Sequence, residues 1–256
     1  MTRARDPSSE QSYIGDEPTL SESVGVRYLH FGSPWVQGAM QVRKPERLYL
    51  AYTQQMMAWL LFLEPESDRV ITQLGLGAAS ITRFCHKFLP NPLVVVERNP
   101  AVVSICRQYF KLPDDDRTQV VLDDAAQWVL ASENRASASV LMVDLYDAQA
   151  QGPVCDSLQF YRHCQRVLEP EGILSVNLFG HHQSYERNLE RLAKAFDNRL
   201  LLMPQAEEGN QIVLAFKGPI LEWNRPALME RAEMLETATR LPARRWVRSL
   251  GKITSI

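Results

Sequence analysis

Cysteine is scarce in this chain: four residues in 256, at Cys85, Cys106, Cys155 and Cys164. None forms a CxxC pair, and the interval from Cys155 to Cys164 matches no metal-ligand spacing. Reduced thiols packed in helices are expected, rather than a disulfide framework or a zinc site. A charge imbalance is also missing. Twenty-eight Lys and Arg against 30 Asp and Glu give a formal charge of -2, and the pI near 6.2 gives no footprint for a nucleic-acid partner. No apolar run approaches the roughly 18 residues of a membrane span. The segment Met1-Thr2-Arg3-Ala4-Arg5-Asp6-Pro7 has no apolar core, so a secretory leader is not expected and a cytoplasmic protein is. HExxH, GxSxG and P-loop patterns are all absent, which argues against zincin, hydrolase and nucleoside-triphosphatase chemistry. There are no internal repeats. The pair His181-His182 is expected in an exposed loop.

What is present is a regular alternation of strands and helices. A polar arm is expected over residues 1–20, with Pro7, Gly15 and Pro18. Residues 21–65 form a small N-terminal β region and a connecting helix. Val24, Val26, Tyr28 and His30 alternate; a Gly32-Ser33-Pro34 turn leads to Trp35-Val36-Gln37; and Arg47-Leu48-Tyr49-Leu50 gives a further strand of an antiparallel meander. An apolar helix is expected over Thr53 to Phe62. The core, residues 66–218, alternates strands ending at Glu97, Leu122, Val143 and Leu178 with helices near 79–88, 100–110, 125–131, 156–168 and 185–196. Asn99-Pro100 supplies a cap and first helical residue, and Glu169-Pro170-Glu171-Gly172 reads as a turn. The strands Leu200–Leu202 and Ile212–Phe216 close the sheet as a hairpin-like pair. This is an α/β fold, a mostly parallel sheet with an antiparallel edge strand. Residues 219–256 form a helical tail with apolar positions Leu228, Met229, Leu235 and Leu241. Its basic end, Arg240, Arg244, Arg245, Arg248 and Lys252, is expected to be solvated.

The residues suited to chemistry sit at strand ends, where open α/β sheets bind ligands. Gly75-Leu76-Gly77-Ala78-Ala79-Ser80 follows a strand and opens a helix, so backbone can approach a ligand closely. Its sixth position is serine, so the full GxGxxG pattern is not met. Glu97, 22 residues after Gly75, has the spacing of a ribose-binding carboxylate. Asp123-Asp124 ends the third strand: one acid can cap the next helix and the other can meet an adenine amino group, with Ala125 leaving room for the ring. Asp144 and Asp147 bracket a four-residue loop. Two carboxylates so placed repel unless a cation lies between them. A protonated amine fits, with one acid holding it and the other accepting its proton; solvated acids or a divalent-ion site are the alternatives.

Taken together these motifs resemble the spermidine synthase-like aminopropyltransferases over roughly residues 25–217. Gly75–Ser80 is similar to that family's GGGDGG loop, Val96-Glu97-Arg98-Asn99-Pro100 to its VExDP element, and Asp123-Asp124-Ala125 to its GDG or GDA motif. Asp144-Leu145-Tyr146-Asp147 resembles its DSxDP catalytic loop, and Gly152-Pro153 the stretch lying over the active site. Val36-Gln37 and Tyr52-Thr53-Gln54-Gln55-Met56 are similar to its VQ and YxEM segments. The resemblance implies a methyltransferase-like Rossmann core. Gln37, Gln54, Gly75, Gly77, Glu97, Asp123, Asp124 and Ala125 would surround decarboxylated S-adenosylmethionine as co-substrate, with no prosthetic group or metal. Asp144 would be the base and Asp147 an anchor for a small amine such as putrescine, and the protein would form a homodimer. Four positions depart from the pattern: Ala78 replaces the aspartate of the glycine loop, Leu145-Tyr146 replaces small hydroxyl residues, and Ala148 replaces proline. An S-adenosylmethionine-dependent methyltransferase and a non-catalytic nucleoside-binding protein are the competing readings.

Overall fold

The computed structural model describes residues 17–32, 35–146, 154–207, 209–219 and 224–250. Among them an antiparallel sheet comes first, made of β1 (Pro18–Ser23), β2 (Val26–Phe31) and β3 (Gly38–Gln41) in that order. The β1–β2 hairpin closes over a two-residue loop, Val24-Gly25, both at positive φ (51° and 74°). This is the geometry that matches the twist of the flanking strands.

The main sheet has seven strands. They are β4 (Ile71–Leu74), β5 (Leu93–Glu97), β6 (Thr118–Leu122), β7 (Ala138–Val143), β8 (Leu168–Phe179), β9 (Leu200–Leu202) and β10 (Asn210–Phe216), in the order β6-β5-β4-β7-β8-β10-β9. Strands β4 to β8 pair in parallel, whereas β10 runs antiparallel to both β8 and β9. The expected α/β class with its antiparallel edge is therefore present. Helix α1 (Ala51–Met56) precedes these strands; α2 (Ser80–Phe88), α3 (Pro100–Tyr109), α4 (Ala125–Leu130), α5 (Leu158–Val167) and α6 (Tyr185–Ala195) lie between them; α7 (Arg225–Thr239) and α8 (Ala243–Ser249) follow.

Strand periodicity divides the core in two. In β10, Ile212, Leu214 and Phe216 join Met56, Trp59, Phe84, Leu228, Trp246 and Val247 on one face, while Val213 and Ala215 join Trp128, Phe160, Tyr161, Leu192 and Phe196 on the other. Thus α1, α2, α7 and α8 cover one face, and α4, α5 and α6 the other. A third cluster, Leu29, Met40, Ala78, Val95, Val102 and Phe110, fastens the small sheet to the glycine loop and α3. No helix among the described residues is long and apolar enough to cross a membrane.

Several local expectations change. The third meander strand is Gly38–Gln41, and 47–50 is not a strand. Carbonyls of that segment serve α1 instead: Leu48 O accepts from Gln54 Nε2 at 2.9 Å and Leu50 O from Thr53 Oγ1 at 2.7 Å. The expected 53–62 helix starts at Ala51 and tightens to a 3-10 turn over Ala58–Leu61. The expected turn at 169–172 lies within β8, where Glu171 takes φ 65° and the register against β7 shifts from Ala138–Leu168 to Val140–Ile173; the surplus residues on β8 absorb the bend that the Pro-Glu-Gly sequence suggests. Strand β1 begins within the span assigned to the arm. In the tail the exposed arginines 240, 244, 245 and 248 are as expected; Lys252 lies outside the described residues.

Candidate active site

The chain leaves β4 toward β5 and β6, then returns to β7 on the other side of β4, so the order reverses between β4 and β7. Helices leave that point in opposite directions and open a crevice at the strands' carboxyl ends. A cleft of about 700 Å³ lies there, lined by Gln37, Tyr52, Gly75, Gly77, Glu97, Asp123, Asp124, Ala125, Asp144, Tyr146, Asn177 and Asn210, among others. One concave site thus gathers every sequence-predicted residue except two. Gln54 is spent on the Leu48 carbonyl and does not line the cleft; Tyr52, two residues earlier, does. Asp147 lies outside the described residues, so the expected acid pair is represented by Asp144 alone.

Gly75 has φ 88°, and a Cβ there would stand 2.2 Å from the Asp144 carbonyl oxygen. Only glycine admits that approach. The Gly75 amide donates to Val96 O at 2.8 Å and the Asp144 amide to Leu74 O at 3.0 Å, so ladder bonds continue to the lip of the cleft. From below, Arg83 holds the loop. Its guanidinium donates to Ala78 O (2.6 Å), Phe110 O (2.5 Å), Pro45 O (2.8 Å) and Ser80 Oγ (3.3 Å). Burial pushes its pKa down to about 10.

Glu97 receives the Leu76 amide on Oε2 (3.0 Å) and the Asn99 amide on Oε1 (2.9 Å). Its pKa is raised by burial, and those two amides oppose the rise. A carboxylate has about four acceptor positions, so a carboxylate fixed in this way retains capacity for a diol. Asp124 caps α4, its Oδ1 accepting from Ala126 N (2.9 Å) and Gln127 N (3.1 Å), while Asp123 Oδ1 accepts the Asp124 amide at 2.8 Å. The structure therefore assigns the capping role to Asp124, the acid nearer the helix, and both acids still face the cleft.

Asp144, at the end of β7, is the chemically distinctive group. Burial pushes its pKa up to about 6, opposed by hydrogen bonds from the Asn177 and Tyr52 side chains. Asn177 Nδ2 donates to Oδ1 at 2.8 Å. Tyr146 turns its hydroxyl into the interior, and burial and the neighbouring Asp144 charge raise its pKa. Sequence reading missed Asn177 and Asn210. The available signal was an asparagine near the cleft end of each of two otherwise largely apolar strands. His181 and His182 are bonded instead to Gln205 and Ser184 outside the cleft. Among the described residues no group of three or more His, Cys, Asp or Glu could hold a metal ion.

The spermine/spermidine synthase domain model matches residues 50–216. The chain is 34% identical over 239 residues to a polyamine aminopropyltransferase of Neisseria meningitidis, covering 91% of this chain and 89% of the relative. Its fold is similar to that of a probable spermidine synthase from Corynebacterium glutamicum, with TM-score 0.70 at 19% identity and 91% of each chain covered. It is also similar to human methyltransferase-like protein 13 in complex with SAH. There the TM-score is 0.66 at 25% identity, over 75% of this chain and 93% of that one.

Proposed function

This chain belongs to the spermine/spermidine synthase family, and from that premise we propose that it moves an aminopropyl group from decarboxylated S-adenosylmethionine to the amine of a small acceptor such as putrescine. The observation that carries this reading is the placement of one desolvated carboxylate, Asp144, against the glycine loop within a cleft that also holds Glu97. Glu97 binds the ribose diol, Asp123 and Asp124 approach the adenine, and Ala125 leaves space beneath its ring. Gln37 borders the same pocket. Asp147 anchors the acceptor by resemblance to the family's catalytic loop.

The sulfonium makes the adjoining methylene electrophilic, so the protein need only orient the two reactants and remove a proton. The ammonium of the acceptor passes a proton to Asp144, and its nitrogen lone pair then forms the new C–N bond in line with the breaking C–S bond. The electron pair of that bond returns to sulfur, and methylthioadenosine leaves neutral. A carboxylate with pKa about 6 is mostly ionised at neutral pH, yet is a stronger base than an exposed aspartate.

Incubation with the decarboxylated donor and a panel of diamines tests the proposal by release of methylthioadenosine. Absence of product with every amine would overturn it. The methyltransferase reading draws on Ala78, which removes one acid from the loop. It predicts tighter calorimetric binding of intact S-adenosylmethionine than of the decarboxylated form, and our reading predicts the reverse. Sedimentation equilibrium checks the homodimer that the family resemblance implies.

A further inference from the structure

The network behind Asp144 continues for one more strand. Val143 pairs with Val176 in register, so the residues that follow, Asp144 and Asn177, emerge side by side. Across the antiparallel β8–β10 pair, Asn177 stands opposite Ile212 and Asn210 opposite Phe179. The two asparagines are therefore diagonal neighbours on one face. Asn210 Nδ2 donates to Asn177 Oδ1 at 2.9 Å, and Asn177 Nδ2 donates to Asp144 Oδ1 at 2.8 Å. Both amides are buried, Asn177 at 1% and Asn210 at 8% exposure.

A terminal amide can present either its oxygen or its NH2 group to a neighbour. Beside a carboxylate the two are opposite in effect: NH2 stabilises the charge and oxygen repels it. Once Asp144 takes up a proton it no longer imposes the first choice. Asn210 still does, because its NH2 group donates to the Asn177 oxygen and not to the carboxyl. We propose that Asn210 is a positioning residue, which acts through Asn177 to hold the amide orientation that returns Asp144 to its charged, acceptor-facing state after each turnover. The inference rests on the aminopropyl-transfer reading for its role in turnover, but the hydrogen-bond relay exists apart from it.

The titratable groups facing Asp144 among the described residues are Tyr52 on α1 and Tyr146 in its own loop. The Gly75 backbone, just past β4, meets the Asp144 backbone; β8 presents Asn177 to the carboxyl, and Asn210 of β10 bonds Asn177 in turn.

The experiment compares wild type with Asn210→Asp and Asn210→Ala. It measures the pH profile of kcat for methylthioadenosine release and, without substrate, the carbon-13 carboxyl titration of Asp144. In Asn210→Asp the new acid cannot donate, so Asn177 turns its NH2 toward it and its oxygen toward Asp144. The acid limb moves up by about one pH unit, activity at pH 6 falls about fivefold, and most of it returns at pH 9. Asn210→Ala shifts the limb in the same direction by less. A limb and carboxyl titration that stay at the wild-type position in either folded variant overturn the proposal, whatever happens to kcat; a shift in the uncharged Asn210→Ala supports it, since a carboxylate at 210 also acts on Asp144 by charge alone, and melting curves identify a variant that has not folded. If the wild type itself releases no methylthioadenosine, the functional reading fails while the carboxyl titration still judges the relay.

Discussion

Ala78 lies directly beneath Gly38: a Cβ at position 38 would stand 2.6 Å from the Ala78 Cβ and 2.8 Å from its backbone nitrogen. The Ala78 methyl is 3% exposed, packed with Leu29, Met40 and Val102, and does not line the cleft. The residue that replaces the loop's acid is thus the one on which the small sheet sits. Restoring the family's acid by Ala78→Asp buries a carboxylate among apolar side chains at a cost of about 2 kcal/mol or more. A lower melting temperature with no tightening of the decarboxylated donor is expected; calorimetry and thermal denaturation check both.

Asp144 sets the acid limit of activity. With its pKa raised to about 6, the base is lost as pH falls through that value, so kcat should fall along a single acid limb centred there. Stability moves the other way. The native carboxyl takes up its proton at a higher pH than the unfolded one, so between about pH 6 and the ordinary aspartate range the fold gains stability as pH falls. Asp144→Asn removes the proton acceptor and should lower kcat by about 10² to 10⁴-fold, without lowering the melting temperature at neutral pH. A variant with unchanged activity would favour a non-catalytic binding protein.

Arg83 joins three separate segments through carbonyls. Arg83→Met leaves Ala78 O, Pro45 O and Phe110 O without this donor and should cost about 3 kcal/mol, read from denaturant midpoints. Because Ala78 belongs to the glycine loop, KM for the donor should rise as well. A stability loss with unchanged donor KM would show that the loop keeps its shape unaided.

Val24 is a β-branched residue at φ 51°, fully exposed at the tip of the first hairpin. Branched side chains are strained in that region, whereas Asn-Gly is the favoured pair for such a turn. Val24→Asn should raise the melting temperature by about 2 °C and leave kcat untouched.

The alternation of strands with helices, the glycine loop and the strand-end acids were legible because each is local: a period, a breaker or a cap. Asn99 does cap α3, with its side chain accepting from Ala101 N. What escaped depends on partners distant in sequence. Gly38–Gln41 has a glycine where a strand former is expected, and only the contact with Ala78 accounts for it. Gln54 looked like a nucleoside ligand by its place in a motif, but a local carbonyl claims it. Trp246 and Val247 stand among the arginines of the basic tail, yet they complete the core face shared with Met56 and Phe84. Asn177 and Asn210 acquire meaning only when β8 and β10 are set side by side.

The closeness of Gly75 to the Asp144 carbonyl has a consequence for how such an enzyme can diversify. Backbone meets backbone there, so the span from the donor loop to the base is fixed by the sheet itself and no side chain can lengthen it. The donor half of the cleft behaves as a fixed jig. Adaptation to a longer, shorter or differently charged acceptor must therefore come from the other wall, at Asn177, Phe179 and Asn210, which enter from β8 and β10, strands that do not pair with β4.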